Sequence, residues 1–157
     1  HSNMLKAIIV TGSVCSGKTT VAKLIAKKFN YKYLDVNKLI REKKLYEGYD
    51  KELDSYIIDE RKLVKVLKGL IKKSKTRLVI DSHLSHYLPK SQVELCIVTK
   101  CDLKELKNRL KKRDYSEKKI RVNLDAEIFD VCLIEAKEKG HKIKIIDTTK
   151  GIKRVTL

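Results

Sequence analysis

At 157 residues, with 42% hydrophobic residues, six Gly and one Pro, the chain has apolar material for one core, which excludes fibrous and disordered classes and predicts a single domain over residues 4–157. No apolar run approaches the roughly 18 residues of a membrane span and no secretory leader precedes the first strand, so a cytoplasmic protein without membrane partners is expected. The formal charge of +17 fits either a polyanionic partner such as RNA or a lysine-rich surface of the hyperthermophile kind, and the even spread of the lysines leaves both open.

His1-Ser2-Asn3 ahead of Met4 reads as a remnant of cloning. The four cysteines form no C-x-x-C pair, so reduced thiols are expected. Cys96, Cys101 and Cys132 read as small buried hydrophobes, whereas Cys15 sits inside a glycine loop.

In chain order, Lys6 to Thr11 is an apolar, β-branched run that predicts a parallel strand buried on both faces. Apolar residues at helical spacing from Lys18 to Phe29 predict a helix, and Tyr33-Leu-Asp35 a short second strand. Residues 37–44 and 59–73 have helical periodicity, with Asp59 as N-cap and an acidic, Gly-containing loop over residues 47–54 between them. Thr76–Asp81 and Glu94–Thr99 predict two further buried strands, separated by a loop holding Pro89. Asp102 caps a helix to about Lys112, one long helix is expected from Glu117 to Glu138 with Gly140 after it, and Lys142–Asp147 forms the last strand. Alternating strands and helices predict an α/β fold with an open, mostly parallel sheet. Ligands in such sheets sit beyond the strands' carboxyl ends, where Gly12, Asp35, Asp81 and Asp147 fall.

Gly12-Ser-Val-Cys-Ser-Gly-Lys-Thr19 matches the phosphate-loop pattern in full, between a strand and a helix. The glycines let successive N–H groups turn toward phosphate oxygens, so Gly12, Ser13, Cys15, Ser16, Gly17, Lys18, Thr19 and Thr20 are candidate ATP-binding residues. Lys18 is expected at the β- and γ-phosphates and the Thr19 hydroxyl on Mg²⁺. Asp81, ending an apolar strand, reads either as a carboxylate holding the metal's water shell or as a strand-end cap. His83 lies two residues on, as a water-orienting group or a satisfied polar residue; His86 is the weaker candidate, and His141 is expected at the surface. Arg109 and Arg113, four apart on one predicted helix, suit a phosphoryl group in transfer or a solvated basic face.

The phosphate loop, Leu39-Ile-Arg41-Glu42, Leu45-Tyr-Glu-Gly-Tyr-Asp50, Asp81-Ser-His83, Arg113-Asp-Tyr-Ser-Glu-Lys-Lys119 and Glu127-Ile-Phe129 resemble the adenylate kinase isoenzyme 6 family, the atypical nucleoside monophosphate kinases of archaea and eukaryotic nuclei. The similarity runs from about Leu5 to Asp147. It implies a three-layer P-loop NTPase fold with a monophosphate-binding helical segment over 36–59 and a short lid over 112–122. It further implies ATP and AMP as substrates with Mg²⁺, Arg41 toward the AMP phosphate, and Arg113 toward ATP. A small-subunit ribosomal protein and pre-rRNA are implied as partners, with a nuclear location in a eukaryote. Val14 and Cys15 stand where the family usually has Pro and Gly.

Overall fold

The computed structural model describes residues 4–157; the cloning remnant expected at 1–3 lies outside the described residues. Ile8, Ile9 and Val10 stiffen the first strand, β1 (Ala7–Gly12), every residue of which is buried. It is followed by α1 (Lys18–Phe29), β2 (Lys32–Asp35), α2 (Val36–Lys43), β3 (Tyr46–Asp50), β4 (Ser55–Ile58), α3 (Glu60–Lys73) and β5 (Leu78–Asp81). Two single 3₁₀ turns lead to β6 (Val93–Lys100), α4 (Leu103–Lys112), α5 (Glu117–Ile128), α6 (Val131–Glu138) and β7 (Ile143–Asp147).

Five strands form one sheet in the order β2-β5-β1-β6-β7, and every neighbouring pair is parallel. Parallel strands need crossovers, and the helices that supply them cover both faces. Side chains alternate between the faces: Ile9, Ile80 and Val98 pack with Leu63, Leu67 and Ile71 of α3, while Ile8, Val10 and Ile97 pack with Val21, Ala22 and Ile25 of α1. Burial of each such side chain contributes about 1.5–3 kcal/mol. The sheet's carboxyl edge, carrying Gly12, Asp35, Asp81 and Asp147, is fixed by this two-sided core.

Four expectations change. Residues 47–54 are not a loop but part of an antiparallel hairpin, β3 with β4. Cross-strand stacking of Tyr46 on Tyr56, ring centroids 4.3 Å apart, stabilises it. The long helix expected over 117–138 breaks into α5 and α6 at Asp130, which adopts a left-handed φ of 50°. The cause is tertiary: Lys100, at the end of β6, takes the carboxylates of both Glu127 and Asp130. His141 is buried, its Nε2 2.9 Å from the His86 carbonyl, because the turn before β7 folds it against that residue. Cys96 and Cys101 are buried as expected, whereas Cys132 is only half-buried, on an α6 whose apolar residues do not share one face.

Candidate active site

The loop between β1 and α1 reverses the chain in little space. Gly12 has φ +148°, and a Cβ there would lie 2.3 Å from Thr99 Oγ1. Gly17 has φ +97°, and a Cβ there would meet the Thr148 side chain at 2.9 Å. Both positions therefore demand glycine on conformational and steric grounds. Ser16 N donates to the Ser13 carbonyl at 3.0 Å, and the Ser16 and Thr99 hydroxyls bond at 2.6 Å. Asp35, Asp59, Asp102 and Ser116 cap α2, α3, α4 and α5 with their side chains, whereas α6 and, directly behind the phosphate loop, α1 start without a side-chain cap. The first N–H groups and positive dipole end of α1 are left facing an anion site.

Lys18 Nζ donates to the carbonyls of Gly12 (3.1 Å) and Ser13 (2.8 Å). Desolvation lowers its pKa, opposed by the charge of Asp81. Asp81 Oδ2 accepts from the Thr19 hydroxyl at 2.6 Å and from the Tyr33 hydroxyl at 2.7 Å. Desolvation and the hydrogen bond to Asp81 raise the Tyr33 pKa, so the phenol stays protonated and donates. Thr19 and Asp81 are hard oxygen donors at one edge of a phosphate loop, the chemistry Mg²⁺ selects. Among the described residues no cluster of three or more His, Cys, Asp or Glu side chains could hold a metal alone, so an ion here would take its remaining ligands from phosphate oxygens and water. His83 opens onto the cleft. The surrounding protein desolvates its ring and, with the Lys18 charge and His86, lowers its pKa to about 4, leaving it neutral near pH 7.

One cleft of 810 Å³ brings together Cys15, Gly17, Lys18, Thr19, Thr20, Arg41, Asp81, His83, Arg109 and Arg113. Gly12, Ser13 and Ser16 lie buried beneath it. The two lid-side arginines are not equivalent. Arg109 donates to Glu105, to the carbonyls of Cys15, Thr148 and Thr149, and to the Thr148 hydroxyl, so its donors bind the phosphate loop to the segment after β7. Arg113 caps the end of α4 and lines the cleft with Cys15 and Tyr115. Arg41 stands in the last turn of α2. Tyr56 of β4 and Lys119 of α5 also line the cleft, and Lys119 Nζ reaches the Asp54 carbonyl at 3.0 Å while Lys118 pairs with Glu52. The hairpin turn and the start of α5 thus touch across the cleft mouth.

Several site-supporting residues carry no local signal. Thr148 donates to the Ser16 carbonyl at 2.5 Å, Glu127 accepts from the Ser13 hydroxyl at 3.1 Å, and Thr11 bonds His86 Nδ1 at 2.7 Å. Two had a usable cue: Tyr33 stands two residues before a strand-end Asp, and Glu127 opens the Glu127-Ile-Phe129 segment of the family resemblance.

An AAA domain family matches residues 8–130. The chain is 39% identical over 142 residues to a Methanocaldococcus jannaschii protein named provisionally as an adenylate kinase, spanning 90% of this chain and 76% of that one. It is 37% identical over 139 residues to the adenylate kinase isoenzyme 6 homolog of Dictyostelium discoideum, spanning 88% and 78%. A shikimate kinase from Acinetobacter baumannii shares the fold at a TM-score of 0.59 and 14% identity, over 89% of this chain and 83% of that one. An uncapped helix behind a complete phosphate loop, a strand-end carboxylate on its threonine, and relatives aligned across nine-tenths of the sequence agree: the chain belongs to the adenylate kinase isoenzyme 6 family.

Proposed function

We propose that the chain transfers the γ-phosphoryl group of MgATP to AMP, reversibly, giving two ADP. The observation that carries this reading is the single cleft whose walls hold the phosphate loop and Asp81 together with Arg41 and Tyr56 of the segment 36–59. Its volume of 810 Å³ lies in the range of small-molecule sites. In this reading residues 36–59 bind the monophosphate and residues 112–122 form the lid.

Phosphoryl transfer asks the protein for position and charge rather than covalent chemistry. Lys18 leaves the Gly12 and Ser13 carbonyls for the β- and γ-phosphate oxygens, and the phosphates stabilise the charge that desolvation disfavours. Arg113 supports the γ-phosphoryl group, and Arg41 orients the AMP phosphate for in-line attack. Mg²⁺, where bound, would be held by the Thr19 hydroxyl and, through water, by Asp81, and would supply charge neutralisation for the transferred phosphate. Closing of the lid segment excludes water from the transfer.

A second acceptor is supported by His83, a neutral imidazole on the cleft beside Asp81 that can orient a water. ATP hydrolysis assisting small-subunit rRNA maturation is the corresponding reading, and the +17 charge suits an RNA or ribosomal partner. The two readings separate by comparing ADP formed from ATP and AMP with phosphate released from ATP alone. A ratio well above one is expected. Lys18→Ala should lower both rates by about 10²-fold or more with little loss of melting temperature. Near wild-type turnover in that variant would sink the phosphate-loop reading.

A further inference from the structure

Glu127 is a carboxylate only 6% exposed, and the transfer reaction as described gives it no part. It lies at the far end of α5 from Lys119, Val122 and Asn123, which line the cleft. Its oxygens are fully engaged. Oε1 accepts from Ser13 Oγ at 3.1 Å and from Lys100 Nζ at 2.8 Å, and Oε2 accepts from the Cys101 N–H at 2.9 Å. Lys100 is anchored in turn by Asp130 and the Glu127 carbonyl. Burial opposes the Lys100 charge, but its bonds to the two carboxylates outweigh burial and raise its pKa.

Ser13 faces two ways. Its hydroxyl goes to Glu127, while its carbonyl accepts from both Lys18 Nζ and Ser16 N. A residue that fixes the Ser13 side chain therefore fixes the carbonyl on which the phosphate-binding lysine waits and the turn that aims the loop's N–H groups. The groups are separated by 114 positions in the chain, so nothing in the loop's own sequence supplies this restraint.

We propose that Glu127 is a positioning residue for nucleotide: acting through the Ser13 hydroxyl, it holds the first half of the phosphate loop in its binding conformation and ties the loop to the helix that carries the lid. The inference rests on the reading of Gly12–Thr19 as the nucleotide's phosphate site. A nucleotide entering the loop then meets donors already aimed, and displacement of α5 is transmitted to Ser13 without passing through the cleft.

The test is titration of a fluorescent nucleoside diphosphate against wild type, Glu127→Gln, Ser13→Ala and the double variant, with the melting temperature of each. The amide keeps the size of the carboxylate while weakening its grip on Ser13 and Lys100. Each single variant should weaken binding about fivefold or more, and the double variant should bind no more weakly than the weaker single one, as expected for two groups sharing one path. Should Glu127→Gln fail to fold, Ser13→Ala alone still decides the loop's dependence on the hydroxyl. A Glu127→Gln protein that melts earlier yet binds within twofold of wild type would make the carboxylate a purely structural brace and overturn the proposal. Losses that multiply in the double variant would overturn the route through Ser13. Wild type that does not bind the probe would instead overturn the phosphate-loop reading itself, before Glu127 is questioned.

Discussion

His86 shows how a single buried residue links the loop's support to solution conditions. It is 1% exposed, with Nε2 on Glu135 at 3.1 Å and Nδ1 at 2.7 Å from the hydroxyl of Thr11, the residue just before Gly12. Desolvation lowers its pKa, more than the adjacent Glu135 raises it, and His141 and Lys139 push in the same direction as burial. The native imidazole therefore stays neutral while an unfolded one takes up a proton as pH falls through about 6.5. More protons bound in the unfolded state means stability that rises with pH. The contribution is complete above about pH 6.5 and is lost as pH falls from there toward the folded value. Carboxylates such as Asp147, lowered by its bonds to Thr149, respond only at more acidic pH. The melting temperature should thus drop between about pH 7 and pH 5, and less steeply in His86→Gln, whatever that variant's stability at neutral pH. A wild-type melting curve flat over that interval would remove the assignment of a neutral buried imidazole.

At the scale of elements, the phosphate loop is held from outside by four others: the end of β6 through Thr99, the segment after β7 through Thr148, α4 through Arg109, and α5 through Glu127. Gly17 is where these restraints become steric. Its φ of +97°, with the Thr148 side chain 2.9 Å from where a methyl group would sit, leaves no room for Cβ. Gly17→Ala should destabilise by about 2 kcal/mol or more, from left-handed strain added to overpacking. Thr148→Ser removes Cγ2, one of two Thr148 atoms at 2.9 Å, and keeps Oγ1, the other, on the Ser16 carbonyl, so it should recover part of that loss; no recovery in thermal melts would assign the loss to the Oγ1 contact and the backbone strain. These restraints explain what the sequence could and could not disclose. The loop, the buried strands and the caps Asp59 and Asp102 are local patterns and were legible, as were Gly12 and Asp81 at one sheet edge. The hairpin at Tyr46–Ile58 was hidden because its stability comes from cross-strand tyrosines flanking a polar turn. The α5–α6 break was hidden because Lys100, not a Gly or Pro, imposes it. Burial of His141 and the roles of Glu127 and Thr148 depend on contacts 55, 114 and 132 positions apart.

For the molecule as a whole, the question is whether its two arms answer one ligand or two. The hairpin turn and the start of α5 meet through Lys119 with the Asp54 carbonyl and Lys118 with Glu52, both at exposed positions. Exposed pairs of this kind contribute no more than about 1 kcal/mol. Ligands that reach both arms must therefore dominate closure. A ligand that binds only the native state stabilises it by about 2.7 kcal/mol at a hundred times its dissociation constant. In a domain of this size that is a rise in melting temperature of roughly 5–10 °C. A non-transferable MgATP analogue and AMP, added separately, should each raise it, and together by at least the sum, since the second ligand meets a cleft the first has already ordered. Arg41→Ala separates the arms. Arg41 lines the cleft from α2, outside the phosphate loop, so the variant should lose most of the AMP increment and keep that of the MgATP analogue, with the Michaelis constant for AMP rising well beyond that for ATP. An AMP increment unchanged in Arg41→Ala would remove the arginine from the acceptor side, and equal loss of both increments would mean that α2 supports the whole cleft rather than one substrate.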